Sequence, residues 1–172
     1  MLAGSATVLV DAIRNFASIR EPAEIRSHAL ERIDESPWGW LATDVVIVDI
    51  PEPNVGARVT NNPPDGIITI DRRNWSGGRL DRLVDHELGH LLDFAVWGSG
   101  DPDRRGGLGS EPWAECAAVA AGTRSVDRGD ADERYHCFAD EIEIYRQTVD
   151  ALDEVCRSWA EPECRAVDTI RP

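Results

Sequence analysis

The chain has 172 residues, and its 32 acidic side chains against 18 basic ones give a formal net charge of −14. This length fits one domain spanning residues 1–172, which we expect to be a monomer. The acid excess makes nucleic acid and anionic membrane surfaces unfavourable partners, because both need clustered positive charge. In addition, no apolar run approaches the roughly 18 residues that a membrane span requires.

The order of the predicted elements is helices, then strands, then helices, which is typical of an α+β fold with a small mixed sheet. Apolar residues at intervals of three and four mark the helices, and β-branched runs bounded by proline or glycine mark the strands. In chain order we predict helices over Ala6–Ile19 and Pro22–Ser36, strands over Val45–Ile50, Val55–Thr60 and Ile67–Asp71, and helices over Leu80–Trp97, Glu111–Ala121 and Arg134–Trp159, with a loop over Gly98–Gly109.

The segment His86-Glu87-Leu88-Gly89-His90 carries the clearest chemical signal in the chain. Positions i and i+4 of a helix lie one turn apart on the same face, so the two imidazoles can bind one metal ion. Glu87 is rotated by about a third of a turn from His86, which places its carboxylate beside the metal. A base at that place can take a proton from a zinc-activated water. The spacing therefore predicts zinc ligands at His86 and His90 and a catalytic base at Glu87.

A catalytic zinc ion needs three protein ligands and one open position, so a third ligand is expected downstream. Glu111 and Glu115 are four residues apart and share one face of the next predicted helix. We assign Glu111 as the third ligand and Glu115 as a carboxylate that orients a ligand by hydrogen bonding. The reverse assignment, with Glu115 on the metal and Glu111 stabilising the helix start, stays open. Asp93, three residues after His90, is a further candidate for supporting a ligand.

The segments HELGHLLD and EPWAECAA resemble the paired motifs HExGHxxD and ExFAExFA of gluzincin zinc metallopeptidases, most of all those of the anthrax lethal factor-like and other minimal gluzincins. The resemblance covers about Ile67–Ala121. It implies a zincin-like fold with an active-site helix and C-terminal helices, and it implies the same roles for the ligands, the base and Glu115. It also makes Ile67–Asp71 the edge strand along which an extended substrate lies.

The sequence departs from this group in two respects. Its spacer between His90 and Glu111 is short, and it lacks the tyrosine that members carry shortly before the ligand glutamate to assist the oxyanion. Arg104 and Arg105 occupy that stretch here. Tyr135 and His136, near the start of the last predicted helix, are therefore candidate oxyanion donors. Packing at the helix start is the alternative role for both.

The four cysteines, Cys116, Cys137, Cys156 and Cys164, form an even set that is compatible with two disulfides. Disulfides persist in oxidising compartments, so the count favours secretion over the cytoplasm. Four buried free thiols are the alternative.

Together these features predict a zinc-dependent endopeptidase that hydrolyses a peptide or protein substrate with Glu87 as general base. Two alternatives use the same residues: a zincin-like module that binds metal or a partner without cleaving anything, and a hydrolase of a non-peptide amide. The intact Glu87 argues against the binding module, which has no need of a base. The acidic exterior would favour cationic peptides if the cleft shares its charge.

Overall fold

The structure is a computed structural model that describes residues 21–60, 65–74, 77–97, 105–127 and 134–158. These residues form an α+β arrangement, as predicted, and the helix predicted over Ala6–Ile19 lies outside them. None of the helices in this part of the chain combines the length and the apolar composition that a membrane span requires. The elements are α1 (Pro22–Glu35), β1 (Ala42–Val48), β2 (Ala57–Thr60), β3 (Gly66–Asp71), α2 (Gly77–Trp97), α3 (Ser110–Ala120) and α4 (Ala139–Ser158), with 3-10 turns at Gly39–Leu41 and Arg72–Asn74.

The three strands form one mixed sheet in the order β1-β3-β2. β1 runs parallel to β3, with Val45 opposite Ile68, and β2 runs antiparallel to β3, with Val59 opposite Ile68. The expectation that Ile67–Asp71 is an edge strand is therefore wrong. Its residues are buried on both faces of the sheet, with Ile68 and Ile70 completely covered, as is typical of a central strand. Among the described residues, the open edge next to α2 belongs to β2.

The helix α2 lies at the centre of the fold, in contact with α1, β2, β3 and α3. Its apolar side follows the helical period and faces the core, while the two histidines lie on a different face. The buried apolar residues of this helix are Leu80, Val84, Leu88, Leu91 and Leu92.

Gly89 lies where α3 crosses α2. A Cβ atom at this position would lie 2.8 Å from both Ala114 Cα and Ala117 Cβ, so the close approach requires glycine. The backbone carbonyl of Gly89 accepts a hydrogen bond of 3.1 Å from Trp113 Nε1. This crossing sets the distance between the helix that carries the histidines and the helix that begins next to Glu111.

The segment 134–138 is not helical, and α4 therefore starts five residues later than predicted. Glu141 accepts a hydrogen bond of 2.7 Å from the backbone N–H of Phe138, which caps the helix at Ala139. Before the cap, the backbone N–H of Cys137 donates to the Asp127 carboxylate at 2.7 Å, and the N–H of Asp127 donates to the carbonyl of Cys137 at 2.9 Å. The cap and these two hydrogen bonds hold the segment in a non-helical conformation.

A disulfide joins Cys116 in α3 to Cys137, 21 residues later, and both residues are completely buried. The bond ties the segment before α4 to α3. In the chain-entropy description, closing a loop of this length stabilises the fold by about 3 kcal/mol. The side chains of Cys156 and Cys164 lie outside the described part of the structure, so a second disulfide stays a prediction.

Candidate metal centre

Three side chains from α2 and α3 bring their donor atoms together. The Nε2 atoms of His86 and His90 lie 3.2 Å apart. The Oε2 atom of Glu111 lies 3.2 Å from the first of these nitrogens and 3.6 Å from the second. Ligand atoms about 2.0–2.1 Å from a tetrahedral zinc ion lie about 3.3 Å from one another. The three atoms therefore fit three corners of a zinc site, and they form the one such group found among the described residues.

The helical positions of these residues explain the arrangement. His86 and His90 are one turn apart on α2, so their rings face the same way. α3 begins at Ser110, which places Glu111 in its first turn, and the crossing at Gly89 brings that turn close to the histidines. Ser110 Oγ lies 3.2 Å from His90 Nδ1. A partner on Nδ1 orients the imidazole with its Nε2 atom toward the metal position.

Glu115 lies one turn after Glu111 and contacts the opposite nitrogen of His86. Its Oε1 atom is 3.4 Å from His86 Nδ1, and the residue is only 2% exposed. Arg82 donates to both carboxylate oxygens, at 2.6 and 3.2 Å, and Arg124 forms an ion pair with Oε2. Burial alone would raise the pKa of this carboxyl, but the imidazole and the two guanidinium groups outweigh burial and lower the pKa to about 2. The carboxylate that lies close to both Nε2 atoms is thus that of Glu111, whereas Glu115 lies close to Nδ1 of His86.

Glu87 lies beside the donor atoms, lines the same cleft and is 4% exposed. Its Oε2 atom is buried and has no hydrogen-bond partner among the described residues. Burial raises the pKa of this carboxyl and the negative charge of Glu111 adds to the rise, whereas the two histidines and the backbone N–H of Val59 oppose it. A buried carboxylate with a perturbed pKa in a cleft is typical of a catalytic position.

The two candidate oxyanion donors differ in where they lie. The ring centroid of Tyr135 is 6.1 Å from that of His86, and Tyr135 lines the cleft. His136 Nε2 lies 3.0 Å from Glu141, and its ring stacks on Phe138. His136 is not one of the residues that line the cleft, so the structure brings Tyr135 to the cluster and leaves His136 at the start of α4.

The carboxylate of Asp93 is paired with Arg105, and both side chains are almost completely buried. Arg105 also donates a hydrogen bond of 3.1 Å to the carbonyl of Leu108. The pair therefore fixes the residues that lead into α3. Because His90 Nδ1 contacts Ser110 instead, the structure does not give Asp93 the predicted contact with a ligand.

The donor cluster opens into a cleft between β2 and α2 with a volume of ≈ 430 Å³, within the range of ligand-binding clefts. Residues 54–59, which include the open edge of β2, form one wall. Three arginines also line the cleft, namely Arg58, Arg79 and Arg82. The cleft therefore does not share the acid excess of the chain, which was the condition for expecting cationic peptides.

The contacts of basic residues with the cluster were not predicted from the sequence. Arg82 lies four residues before His86, so the helical period was a sufficient signal to place it on the ligand-bearing face. Arg124 comes from the turn after α3, and its contact with Glu115 depends on tertiary packing. No local sequence pattern indicates that contact.

Proton release gives a direct test of this geometry. Burial lowers the pKa of His86, but the carboxylates of Glu111 and Glu115 outweigh burial and raise it to about 9 in the metal-free cluster. His86 is therefore protonated at neutral pH, and a metal ion has to displace that proton. We expect about one proton to be released per zinc ion at neutral pH, and the apparent zinc affinity to rise about tenfold per pH unit below pH 9.

Calorimetric titration with zinc in buffers of different ionisation enthalpy measures this proton. His28→Ala is the control, because His28 pairs with Asp81 on a different face of α2 and its loss should leave the proton release unchanged. An apparent zinc affinity that stays constant across neutral pH would contradict the expectation.

Comparisons of the chain with protein-family models, with curated proteins and with solved structures gave no match. The likeness to gluzincins therefore rests on the two motifs and stays a prediction.

Proposed function

We propose that this chain is a zinc-dependent peptidase with a zincin-like fold, in which His86, His90 and Glu111 bind one zinc ion. The observation that carries the proposal is the spacing of 3.2–3.6 Å among the two Nε2 atoms and Oε2, which fits a tetrahedral zinc site. Two imidazoles and one carboxylate, with a fourth position left open, are the donor set of a catalytic zinc site. When bound there, zinc supplies a Lewis acid that lowers the pKa of water and polarises a substrate carbonyl.

Glu87 supplies the proton transfer in this proposal. Its carboxylate lies next to the ligands and keeps one buried oxygen without a hydrogen-bond partner in the described part of the chain. It accepts a proton from the attacking water and passes that proton to the leaving amine, which balances the protons of amide hydrolysis. Burial raises the pKa of Glu87, which makes its carboxylate a stronger base for this transfer. A module that only held metal would have no use for this group.

The surroundings of the cluster favour an extended peptide as the substrate. β2 pairs with β3 on one side, no described strand pairs with its other edge, and that edge forms a wall of the cleft, where Glu87 accepts a hydrogen bond from the backbone N–H of Val59. A peptide that adds to this edge as a further strand would pass the donor cluster. The ring of Tyr135, 6.1 Å from that of His86, makes its hydroxyl a candidate donor to the charge that develops on the carbonyl oxygen.

The proposal is tested by measuring metal content and peptide cleavage on the same preparation. We expect about one zinc ion per chain, cleavage of a peptide library at defined bonds, loss of cleavage on chelation and recovery when zinc is added back. Zinc without cleavage would favour the metal- or partner-binding module, and cleavage of small amides alone would favour the non-peptide hydrolase. A protein that holds no zinc would contradict the proposal.

A further inference from the structure

The lining of the cleft, histidines aside, has no net formal charge, whereas the whole chain has a net charge of −14. The lining contains equal numbers of basic and acidic side chains, so a divalent cation on the three ligands leaves the cleft positively charged. The charged residues of the lining, histidines aside, are Arg58, Arg79, Arg82, Glu87, Glu111 and Glu115.

The three arginines differ in what they already bind. Arg82 donates two hydrogen bonds to Glu115, so its charge is matched inside the protein. Arg58 lies 3.6 Å from Glu52, and both side chains are half exposed. Arg79 is exposed and has no ion-pair partner among the described residues. Of the three, Arg79 is therefore the arginine whose charge is not matched by an acidic group in the described part of the chain, and Arg58 has only an exposed ion pair.

The position of Arg79 on α2 gives its separation from the candidate metal ligand His86. Arg79 comes seven residues before His86, which is two helical turns, so both residues lie on the same face. At 1.5 Å per residue the separation along the helix is about 10 Å. An extended peptide advances about 3.3 Å per residue, so one that lay along α2 would cover that distance in about three residues.

We propose that Arg79 forms a substrate subsite for a peptide carboxylate about three residues from the scissile bond; this inference rests on the proposed peptidase function. The cleft would thus select anionic peptides, although the exterior of the protein is itself strongly acidic. An aspartate or glutamate side chain and a C-terminal carboxylate present the same charged group to a guanidinium, which binds both through paired N–H donors.

The experiment measures binding, so that it does not depend on turnover. The zinc-loaded Glu87→Gln variant is titrated, by fluorescence anisotropy, with peptides blocked at both ends that carry one glutamate moved along a neutral sequence, and with their glutamine counterparts. A second set replaces the glutamate with a free C-terminal carboxylate. Cleavage of the same peptides by the unmodified protein locates the scissile bond. We expect one position at which the carboxylate tightens binding roughly two- to fivefold, with a smaller effect at high salt.

Arg79→Glu should abolish this preference and favour lysine at the same position. Arg146→Glu is the matched control, because it makes the same change in net charge at an exposed site on α4 that does not line the cleft. Equal binding of charged and neutral peptides at every position would overturn the inference. So would an unchanged preference in Arg79→Glu, or an equal loss in Arg146→Glu.

This experiment distinguishes a failure of the peptidase proposal from a failure of the Arg79 subsite. Zinc-loaded protein that prefers the carboxylate peptides in binding but cleaves none of the peptides would contradict the peptidase function and support the subsite at Arg79. Zinc-loaded protein that cleaves without regard to charge would support the peptidase function and contradict the subsite.

Discussion

Replacing Glu87 with glutamine should lower kcat/KM for peptide hydrolysis by about 10²- to 10⁴-fold while the protein still binds zinc, because glutamine keeps the shape of the side chain and cannot accept a proton. The three candidate donor atoms belong to other residues, so the proposed metal site should keep its donors. Stability should be equal to or above that of the parent, since the substitution removes a buried carboxylate with an unpaired oxygen. The measurements are kcat/KM, zinc content and the midpoint of thermal unfolding.

Asp81→Asn is the control for Glu87→Gln, because Asp81 lies on the same helix and pairs with His28 at 2.7 Å away from the cleft lining. We expect it to keep full activity. Hydrolysis by Glu87→Gln at the parental rate would show that Glu87 is not the base. Loss of zinc from Glu87→Gln would show instead that this carboxylate takes part in holding the metal.

Replacing Glu115 with glutamine should weaken zinc binding by about 10- to 100-fold, the usual effect of removing a carboxylate that supports a ligand histidine. The same change removes the anion shared by the half-buried Arg124 and the partly exposed Arg82, although Arg124 keeps its ion pair with Asp127. Loss of hydrogen bonds to a charged group costs about 1.5–3 kcal/mol, so the metal-free variant should unfold at lower denaturant concentration. Zinc affinity is measured by competition with a chelator, and stability by equilibrium unfolding.

The sign of the pH dependence follows from the lowered pKa of Glu115. Its ionised form is favoured in the folded protein, so its contribution to stability is complete above about pH 4.5 and is lost as the pH falls toward 2. The unfolding curves of the parent and of Glu115→Gln should therefore converge in acid.

Glu141→Gln is the control for Glu115→Gln, because Glu141 caps α4 and contacts His136 but does not line the cleft. It should reduce stability by about 1 kcal/mol through the weakened cap and leave zinc affinity unchanged. A Glu115→Gln variant with parental zinc affinity would mean that this carboxylate pairs with Arg82 and Arg124 and does not support His86 in binding zinc.

The local features of the site could be predicted from the sequence because they depend on the helical period. Two histidines four residues apart must share a face of α2, and the same argument applies to Glu111 and Glu115 on α3. The order of the strands could not be obtained in this way. β1 and β3 are parallel neighbours with β2 between them in the chain, and the buried run in β3 was assigned to an edge through the family resemblance.

Contacts between segments that are far apart in the chain could not be predicted from the sequence either. Four cysteines allow three pairings, and the bond between Cys116 and Cys137 depends on how the segment before α4 packs against α3. The partner of Asp93 likewise comes from a loop, where Arg105 gives no periodic signal. The net charge predicted that the exterior is negatively charged, but it did not predict the charge of the cleft. A total for the chain does not say where the charged side chains lie.

An open strand edge that admits a peptide also admits the same edge of a second copy, which is the geometry from which β-aggregates grow. β2 is only four residues long, and the exposed Arg58 lies within it. Short edge strands and charged side chains both limit such pairing, and the net charge of −14 adds repulsion between copies. The acid excess of the exterior therefore acts as protection against self-association at the edge of β2, beside the donor cluster, that no strand in the described part of the chain covers.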